Sequence, residues 1–247
     1  MADKYGLIGF PLGHSFSRQY HNERFVREAI DAEYNNYELP DISLLPELVA
    51  REKSLRGLNV TIPYKQVVIP YLDALDETAR SIGAVNVIRI EHNDNSVRMV
   101  GYNSDYIGFR NSLSPLLQPH HTHALVLGTG GASKAVCAAL RDMNIAVTLV
   151  SRTQGSNRLQ YEQLTAEVMA NHTIIVNATP LGMYPHVDDC VPIPYQYITP
   201  RHLCYDVVYN PTHTTFMQRC AEQGATVCNG LKMLYGQADA AWEIWNR

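Results

Sequence analysis

The sequence predicts an α/β fold of two domains with mainly parallel sheets. Patterns typical of strands and helices alternate along nearly the whole chain of 247 residues, which is the order expected for this fold class. The composition, 46% apolar against 18% charged residues, is that of a folded globular chain long enough for a sizeable core. A glycine-rich turn at 128–131 lies near the middle of the chain, between an apolar run and a helical stripe.

The first half is predicted to contain short strands that alternate with helices. Apolar runs bounded by turn residues indicate the strands, and apolar residues at helical spacing indicate the helices. Asn93-Asp94-Asn95 lies between two strand patterns and predicts a hairpin. The predicted elements are strands at 5–9, 36–39, 58–61, 84–92 and 97–102, and helices at 17–32, 43–53 and 104–117.

The glycine turn carries the clearest functional signal of the second half. An apolar strand at 124–127 precedes it, and a helical stripe from Val136 to Met143 follows. Strand, glycine turn and helix in this order place a pyrophosphate on a helix N-terminus, so we predict a Rossmann-type dinucleotide-binding domain. Further strands are predicted at 146–150, 173–177, 203–208 and 225–228, and an amphipathic helix at 231–245.

The residue at the end of the next predicted strand distinguishes between two dinucleotides. NAD sites usually have Asp or Glu there, about 20 residues beyond the glycines, to bind the ribose diol. This chain has Arg152, between Ser151 and Thr153. Because an arginine suits the extra 2′-phosphate of NADP, we predict NADP(H) as the cofactor.

Bulk properties exclude several classes of partner. The net charge of −4 implies no general affinity for nucleic acid or anionic membranes, and no apolar run approaches the ~20 residues of a membrane span. The chain starts Met1-Ala2-Asp3-Lys4, without a signal-peptide pattern, and its five cysteines are scattered. We therefore expect a cytoplasmic protein with reduced thiols. The cluster at 120–123, which contains three histidines, is interpreted as a polar connector, and no metal is expected.

Two polar clusters follow predicted strands of the first half. Ser15 and Ser17 lie at a predicted helix start, where two hydroxyls suit a carboxylate, although Ser17 as a helix cap is the simpler alternative. Lys65 follows Pro63, a residue that suits a first helical turn. A cation there is electrostatically disfavoured, which would ease proton donation, and a solvated surface lysine is the alternative.

Two further polar residues have equally simple alternatives. Asp105 lies at the start of the helix after Asn103-Ser104, where an acid favours the helix dipole without any further role. Asn86 is a polar residue within a strand pattern, which a turn or a backbone hydrogen bond would explain. Each of these clusters is a weak signal by itself.

Taken together and in order, nine segments of the chain closely resemble the NADP-dependent shikimate dehydrogenase family. The resemblance covers nearly the whole chain, and nine ordered segments are far more specific than one glycine turn. These segments are Gly13-His14-Ser15-Phe16-Ser17, Asn59 to Lys65, Gly83 to Asn86, Asn103-Ser104-Asp105, the glycine turn, Ser151-Arg152-Thr153, Asn177 to Met183, Asp206 to Pro211, and Gly230 to Gln237.

The resemblance implies a role for each segment. Lys65 and Asp105 match the catalytic pair. The implied substrate contacts are Ser15, Ser17 and Thr61 at the carboxylate with Tyr209 nearby, and Lys65, Asn86, Asp105 and Gln237 at the ring oxygens. The implied cofactor contacts are Gly128, Thr129, Gly130, Gly131, Ala132, Ser151, Arg152, Thr153, Arg158, Asn177, Ala178, Thr179, Met183, Val207 and Gly230.

The resemblance also implies domain limits and an activity. Residues 1–104 plus 231–247 would form the substrate-binding domain, and 105–230 the NADP-binding domain. The expected activity is the reversible, NADPH-dependent reduction of 3-dehydroshikimate to shikimate in aromatic amino-acid biosynthesis, by a monomer or homodimer.

Three alternatives remain. A quinate/shikimate dehydrogenase would have a broader substrate and cofactor range, but such relatives often carry an acid where Arg152 stands. A methylenetetrahydrofolate dehydrogenase-like enzyme shares the two-domain plan, but the serine pair does not fit it. A non-catalytic NADP-binding regulatory protein would not need intact Lys65 and Asp105.

The chain departs from the family pattern at several positions. Arg18 replaces the usual Pro, Tyr106 replaces a Gly and Val87 replaces a Thr; we expect Arg18 and Tyr106 to reshape the mouth of the substrate site. Ser133 occupies the third-glycine position, which predicts a looser approach of helix and strand. Arg158 lies farther from Arg152 than the family's second arginine, which puts its phosphate contact in question.

Overall fold

The computed structural model describes residues 2–13, 15–93 and 96–247. It divides into two compact units, the described residues up to Ser104 together with Ala238–Arg247, and Asp105–Gln237. His14 of the first polar cluster and two residues of the predicted hairpin turn, Asp94 and Asn95, lie outside the described residues.

The first unit is built on a six-stranded mixed sheet with strand order β2-β1-β3-β5-β6-β4. β1 pairs in parallel with β2 and β3, whereas β5 is antiparallel to both β3 and β6. Its elements are β1 (Asp3–Gly9), α1 (Phe16–Arg27), β2 (Ala32–Glu38), α2 (Leu45–Arg51), β3 (Leu55–Val60), β4 (Ala74–Leu75), α3 (Glu77–Ile82), β5 (Val87–Asn93) and β6 (Ser96–Tyr102).

The second unit contains a six-stranded sheet with order β12-β11-β10-β7-β8-β9, in which all neighbours are parallel. Counted within the unit this is the strand order of a dinucleotide-binding Rossmann domain, with the switch point between β7 and β10. Its elements are α4 (Ser104–Leu113), β7 (His123–Leu127), α5 (Gly131–Asp142), β8 (Ala146–Val150), β9 (Arg158–Leu159), α6 (Ala166–Asn171), β10 (Ile174–Asn177), β11 (Leu203–Asp206), α7 (Thr215–Glu222), β12 (Thr226–Cys228) and α8 (Leu231–Trp245).

Both faces of each sheet are buried. Successive residues of a strand point to opposite faces, so they pack into different parts of the core. In the first unit, Ile8 packs into a cluster with residues of α2, whereas Leu7 packs with Phe25 of α1 and the end of α8. In the second unit, Leu125 packs with α6 and α7, whereas Val126 packs with α4 and α5. The apolar strand runs of the sequence are therefore two-sided core strands.

The last helix is divided between the two units, and the predicted limit at residue 231 differs from the observed one after Gln237. A side chain at Gly108 of α4 would come within 2.5 Å of the Met233 carbonyl oxygen, so the start of α8 packs on α4 in the second unit. The end of α8 packs in the first unit, where Trp245 donates a hydrogen bond to the Ile88 carbonyl at 3.1 Å.

Two local predictions were wrong, and several short elements were missed. The helix predicted at 17–32 ends at Arg27, because Ala29 has a positive φ of 53° and β2 begins at Ala32. No helix follows Pro63; turns occupy that segment, and the Ile62–Pro63 peptide is cis. Helices α3, α6 and α7 and the short strands β4 and β9 were not predicted. None of the described helices is long and apolar enough to cross a membrane.

Candidate active site

Polar residues of the first unit collect at one edge of its sheet. In the parallel pair of β1 and β3, Ile8 lies opposite Val60. Val87, at the start of β5, lies opposite Asn59 of β3 and Tyr102 of β6 in the two antiparallel pairs. The ends of β1, β3 and β6 and the start of β5 therefore share an edge. The predicted residues that adjoin these strand ends along the chain are Ser15, Ser17, Thr61, Lys65 and Asn86.

Ser15, and not Ser17, caps helix α1. The Ser15 hydroxyl oxygen accepts a hydrogen bond from the Arg18 backbone N–H at 3.2 Å. Proline, the usual residue of the resembled family at position 18, has no N–H to donate, so Arg18 makes this cap possible. A hydroxyl that accepts a bond keeps its own hydrogen, so capping leaves Ser15 able to donate to a carboxylate.

Ser17 is half-buried and adjoins a buried hydrogen-bond network. It is bonded to the hydroxyl of Tyr34, which in turn donates to Asn59 Oδ1 at 2.7 Å. Tyr34 is fully buried, and burial holds the pKa of its hydroxyl well above the ordinary value. The ring of His21 stacks on the Tyr34 ring at 4.8 Å between centroids. The orientation of Ser17 is therefore set by aromatic residues of the core.

Asn86 is tied to the segment that leads into α4. Its Nδ2 donates to Ser104 Oγ at 3.0 Å, and its Oδ1 accepts from the Ser104 N–H at 2.7 Å. The next residue along the chain is Asp105. The amide of Asn103 adds a bond to the Ala84 carbonyl at 2.9 Å. The bonds to Ser104 therefore give Asn86 a structural role, and they also hold its side chain at the polar edge.

Lys65 lies in a turn rather than in a helix. The helix-dipole argument for proton donation consequently does not apply to it. The Lys65 carbonyl accepts from the Val85 N–H at 2.7 Å, which fixes its backbone beside the residue that precedes Asn86. The neighbouring Tyr64 is buried and donates to the Leu39 carbonyl at 2.6 Å. Lys65 is thus a half-buried side chain on an anchored turn, and not a fully solvated lysine.

Asp105 and Gln237 lie on two helices of the second unit that cross at glycines. A side chain at Gly236 would come within 3.2 Å of the Gly108 Cα, and one at Gly108 within 2.9 Å of the Gln237 backbone N. Asp105 lies one helical turn before Gly108, and Gln237 directly follows Gly236. The close crossing therefore fixes the spacing of two predicted partners of the substrate ring. Asp105 is buried, with 6% of its surface exposed.

Tyr106 has a different environment from the one expected. Its hydroxyl donates to the carboxylate of Asp142 at the end of α5. It therefore links α4 to the helix that follows the glycine turn, within the second unit. The expectation that Tyr106 reshapes the substrate site has no support in this contact.

The glycine turn suits a bound pyrophosphate. Gly128 has a φ of +109°, and a side chain there would lie 3.0 Å from the Ala178 carbonyl. Gly130 is the N-cap of α5 without any side-chain cap bond, and a Cβ on it would meet no atom within 4 Å. An open helix N-terminus of this kind favours an anion. Ser133 does not loosen the turn, because its hydroxyl donates to the Gly128 carbonyl at 2.7 Å.

The residues after β8 form a polar turn at the same edge of the second sheet. Ser151 Oγ accepts from the Thr153 N–H at 3.1 Å and contacts the Thr153 hydroxyl at 3.0 Å, while Arg152 is exposed. Arg158 begins β9 and pairs with Leu149 near the end of β8. The longer spacing between the two arginines is therefore taken up by a loop: Arg152 lies two residues after the end of β8, and Arg158 begins the neighbouring strand β9.

The loops after β10 and β11 carry the remaining predicted cofactor residues. The Ala178 N–H donates to the Leu127 carbonyl at 2.9 Å, and the Val207 N–H donates to the Asn177 carbonyl at 2.9 Å. A side chain at Gly230 would overlap the Val207 carbonyl. These contacts place the two loops next to the glycine turn at the switch point. Exposed side chains on them include Met183 and Tyr209.

Three buried polar residues that organise these edges had no role predicted from the sequence. Tyr34 and Asn59 support Ser17 in the first unit, and Asp206 connects the two loops of the second. Asn59 and Asp206 lie inside two of the nine segments that resemble the family, and a polar residue within an apolar strand pattern could have identified each of them. Tyr34 had no such signal, because its pairing depends on strand order.

The histidines at 120–123 lie at the opposite edge of the second sheet. The Nε2 atoms of His120 and His121 lie 3.0 and 3.2 Å from the Arg201 carbonyl oxygen. His121 Nδ1 accepts from the Gln118 N–H at 2.9 Å. Backbone hydrogen bonds thus account for these two rings, and no group of three potential metal ligands occurs among the described residues.

Comparison with known proteins gives consistent relationships. Residues 7–88 match the family model of the shikimate dehydrogenase substrate binding domain. A relative from Clostridium beijerinckii, named shikimate dehydrogenase (NADP(+)), is 40% identical over 98% of this chain and 91% of its own. A protein of the same name from Methanococcus aeolicus is 37% identical over 97% of this chain and 90% of its own.

A solved structure gives the same relationship. The shikimate 5-dehydrogenase of Thermus thermophilus, in complex with NADP(H) and shikimate, is 28% identical and covers 98% of this chain and 93% of its own, with a TM-score of 0.85. The likeness therefore extends over both units of the chain.

Proposed function

This chain belongs to the shikimate dehydrogenase family, and we propose that it catalyses the reversible reduction of 3-dehydroshikimate to shikimate with NADPH. The observation that carries the proposal is the polar edge of the first sheet. It combines hydroxyls, amides and the ammonium of Lys65, which together suit a small polyhydroxylated carboxylate.

The substrate contacts are assigned by the chemistry of each side chain. Ser15, Ser17 and Thr61 offer hydroxyl donors to the carboxylate, with Tyr209 as a further contact. An amide nitrogen carries two hydrogens, so Asn86 can bond Ser104 and a ring oxygen together. Asp105 and Gln237 serve the other ring oxygens.

The cofactor contacts follow from the turn and loops of the second unit. NADPH, when bound, supplies the hydride. The glycine turn, Gly128 to Ala132, offers backbone N–H groups to the pyrophosphate, and Arg152 and Arg158 offer cations to the 2′-phosphate. The other residues assigned to the cofactor are Ser151, Thr153, Asn177, Ala178, Thr179, Met183, Val207 and Gly230.

Lys65 is assigned as the catalytic acid, with Asp105 as the second catalytic residue. When the carbonyl carbon of the substrate receives a hydride, negative charge develops on its oxygen. The Lys65 ammonium stabilises that charge, and one N–H bond breaks as the new O–H bond forms. In the reverse direction the neutral amine takes the proton back. Asp105 accepts a hydrogen bond from a neighbouring ring hydroxyl and so fixes the orientation of the ring.

One assay distinguishes this function from its alternatives. The purified protein is given shikimate or quinate with NADP+ or NAD+, and the absorbance of reduced nicotinamide is followed. Shikimate with NADP+ is expected to give the highest kcat/KM. Equal use of quinate would favour a quinate/shikimate dehydrogenase, and no turnover with any pair would favour a regulatory binding protein.

We further propose that the enzyme acts in the cytoplasm as a monomer or homodimer. The five free cysteines, three of them buried, agree with a reducing compartment. Light scattering on the purified protein distinguishes the two assemblies, and a larger assembly would contradict the proposal.

A further inference from the structure

Asp206 is a buried carboxylate at the edge of the second sheet where the cofactor loops begin. It is the last residue of β11 and is fully buried. Its neighbours Val207 and Tyr209 are proposed ligand contacts, but the carboxylate itself is enclosed by protein and touches neither substrate nor the reacting atoms in the function proposed above.

The two oxygens of Asp206 join three segments of the chain. Oδ1 accepts from Asn177 Nδ2 and from the Val208 N–H, both at 3.0 Å. Oδ2 accepts from the Thr214 hydroxyl, at the N-cap of α7, at 2.6 Å. The loop after β10, the chain after β11 and the start of α7 therefore meet at one side chain.

The bond to Asn177 extends into the cofactor loop. Asn177 Oδ1 accepts from both the N–H and the hydroxyl of Thr179, at 3.1 and 2.7 Å. Asn177 is thus held on one side by Asp206 and holds Thr179 on the other. Both Asn177 and Thr179 are assigned to the cofactor, so this chain of bonds connects the carboxylate to the proposed binding surface.

The burial of this carboxylate opposes folding. Burial raises the pKa of Asp206 to about 6, against the bonds from Thr214, Val208 and Asn177, which favour the charged form. Among the described residues Asp206 forms no ion pair that would offset its desolvation. A buried carboxylate without a cation is less favourable than an apolar side chain of similar volume. The three accepted bonds, which fix the two loops, are therefore made against a desolvation cost.

We propose that Asp206 is a positioning residue for NADP(H): by accepting hydrogen bonds from Asn177 and Val208, it holds the loops after β10 and β11 in the arrangement that binds the cofactor. The inference depends on the cofactor of the proposed function. Cofactor binding then depends on the loop positions that the bonds from Asn177 and Val208 maintain, and not on the negative charge of Asp206.

The test uses NADPH binding, measured by fluorescence titration, on three variants of the full chain. Asp206→Ala removes both acceptors. In Asp206→Asn the amide oxygen can accept from Asn177 and Val208, and the amide nitrogen can donate to Thr214, whose oxygen has a second lone pair. Ser112→Ala is the matched control, because it removes a buried 2.7 Å bond to Tyr205, the residue before Asp206 in β11, without touching either loop.

Asp206→Ala is expected to weaken NADPH binding at least about tenfold, because the two loops lose the bonds that hold them in the binding arrangement, while Asp206→Asn and Ser112→Ala stay within about threefold of wild type. Thermal unfolding of each variant separates lost stability from lost affinity. A folded Asp206→Ala protein with wild-type affinity would overturn the proposal. If Asp206→Ala does not fold, Asp206→Asn decides, since a tenfold loss there would assign the effect to charge and also overturn it.

The same titration distinguishes failure of this inference from failure of the proposed function. A wild-type protein that binds no NADPH refutes the cofactor assignment. A wild-type protein that binds NADPH, with variants that bind equally well, refutes only the role of Asp206. Neither result depends on which substrate the enzyme reduces.

Discussion

The polar edges of the two sheets offer different atoms to their ligands. In the first unit the edge is made of side chains, which are held by other side chains such as Tyr34 on Asn59 and Ser104 on Asn86. In the second unit the centre of the edge is the backbone of the glycine turn, which is exposed at Gly130. The first edge therefore suits a particular arrangement of hydroxyls, whereas the second suits a phosphate group, which many cofactors share.

This difference explains why the two halves of the sequence are informative in different ways. A backbone site leaves only a glycine pattern, which identifies a class of cofactor. A side-chain site leaves residue identities, and several of them in order identify a substrate. Substitutions in the two units should therefore differ in effect: loss of Lys65 in the first unit should impair the chemical step, and changes at the glycine turn and Arg152 in the second should impair cofactor binding.

The largest expected effect is on the chemical step. Lys65→Ala should lower kcat by about 10²–10⁴-fold, the usual contribution of a positioned acid, with little change in KM for shikimate. Steady-state kinetics measure both parameters. Lys53→Ala, at an exposed lysine of the same unit, is the control and should be unchanged. A Lys65→Ala enzyme with near-normal kcat would contradict the catalytic role.

The second expected effect is on stability and concerns His21, whose ring stacks on Tyr34 beneath the polar edge of the first sheet. His21 is buried, and its ring nitrogens have no hydrogen-bond partner among the residues that the structure describes. Burial, with Arg24 nearby, lowers its pKa from 6.5 to about 3. Because the folded-state pKa is lower than the unfolded one, its contribution to stability is complete above about pH 6.5 and is lost as the pH falls towards 3.

For His21 this loss amounts to about 3 kcal/mol at pH 4. His21→Phe keeps a stacking ring but cannot be protonated, so it should lose less free energy of unfolding between pH 7 and pH 4 than wild type. Denaturant unfolding at the two pH values gives the comparison. Equal losses in both proteins would show that His21 does not titrate in this way.

The third effect tests the side-chain part of the second edge. Arg152→Ala should raise KM for NADP+ by about 10–100-fold, because a hydrogen-bonded charge on the 2′-phosphate is lost. KM for NAD+, which lacks that phosphate, should stay unchanged and serves as the internal control. Equal changes for both cofactors would place Arg152 elsewhere.

The smallest expected effects come from two glycines of the turn, one needed for its backbone conformation and the other for the space that a ligand would occupy. Gly128→Ala should destabilise the fold by about 1–3 kcal/mol, because a positive φ is strained for alanine. Gly130→Ala has an ordinary φ and open space around the new Cβ, so its thermal unfolding should match wild type. It should nevertheless weaken NADPH binding, because the methyl group enters the space proposed for the pyrophosphate. Unchanged affinity would contradict that placement.

Much of the architecture was predictable because its signals are local. The strand–turn–helix at 124–143 and the helix at 231–245 were confirmed, since residues three or four apart encode each pattern. The helix at 17–32 was overextended because the turn at Ala29 has no Gly or Pro to mark it. Lys65 was placed in a helix because Pro63 suits a first helical turn as well as it suits the turn observed.

The sequence alone determined the fold class and the cofactor class, and it proposed candidate residues for a substrate site, because composition, periodicity and ordered motifs are properties of neighbouring residues. The tertiary structure decided which of them are joined. The bonds from Tyr34 to Asn59, from Asn86 to Ser104 and from Asp206 to Asn177 each span 18 residues or more. Such bonds depend on strand order and register, which are set by packing of the whole sheet and not by any local pattern.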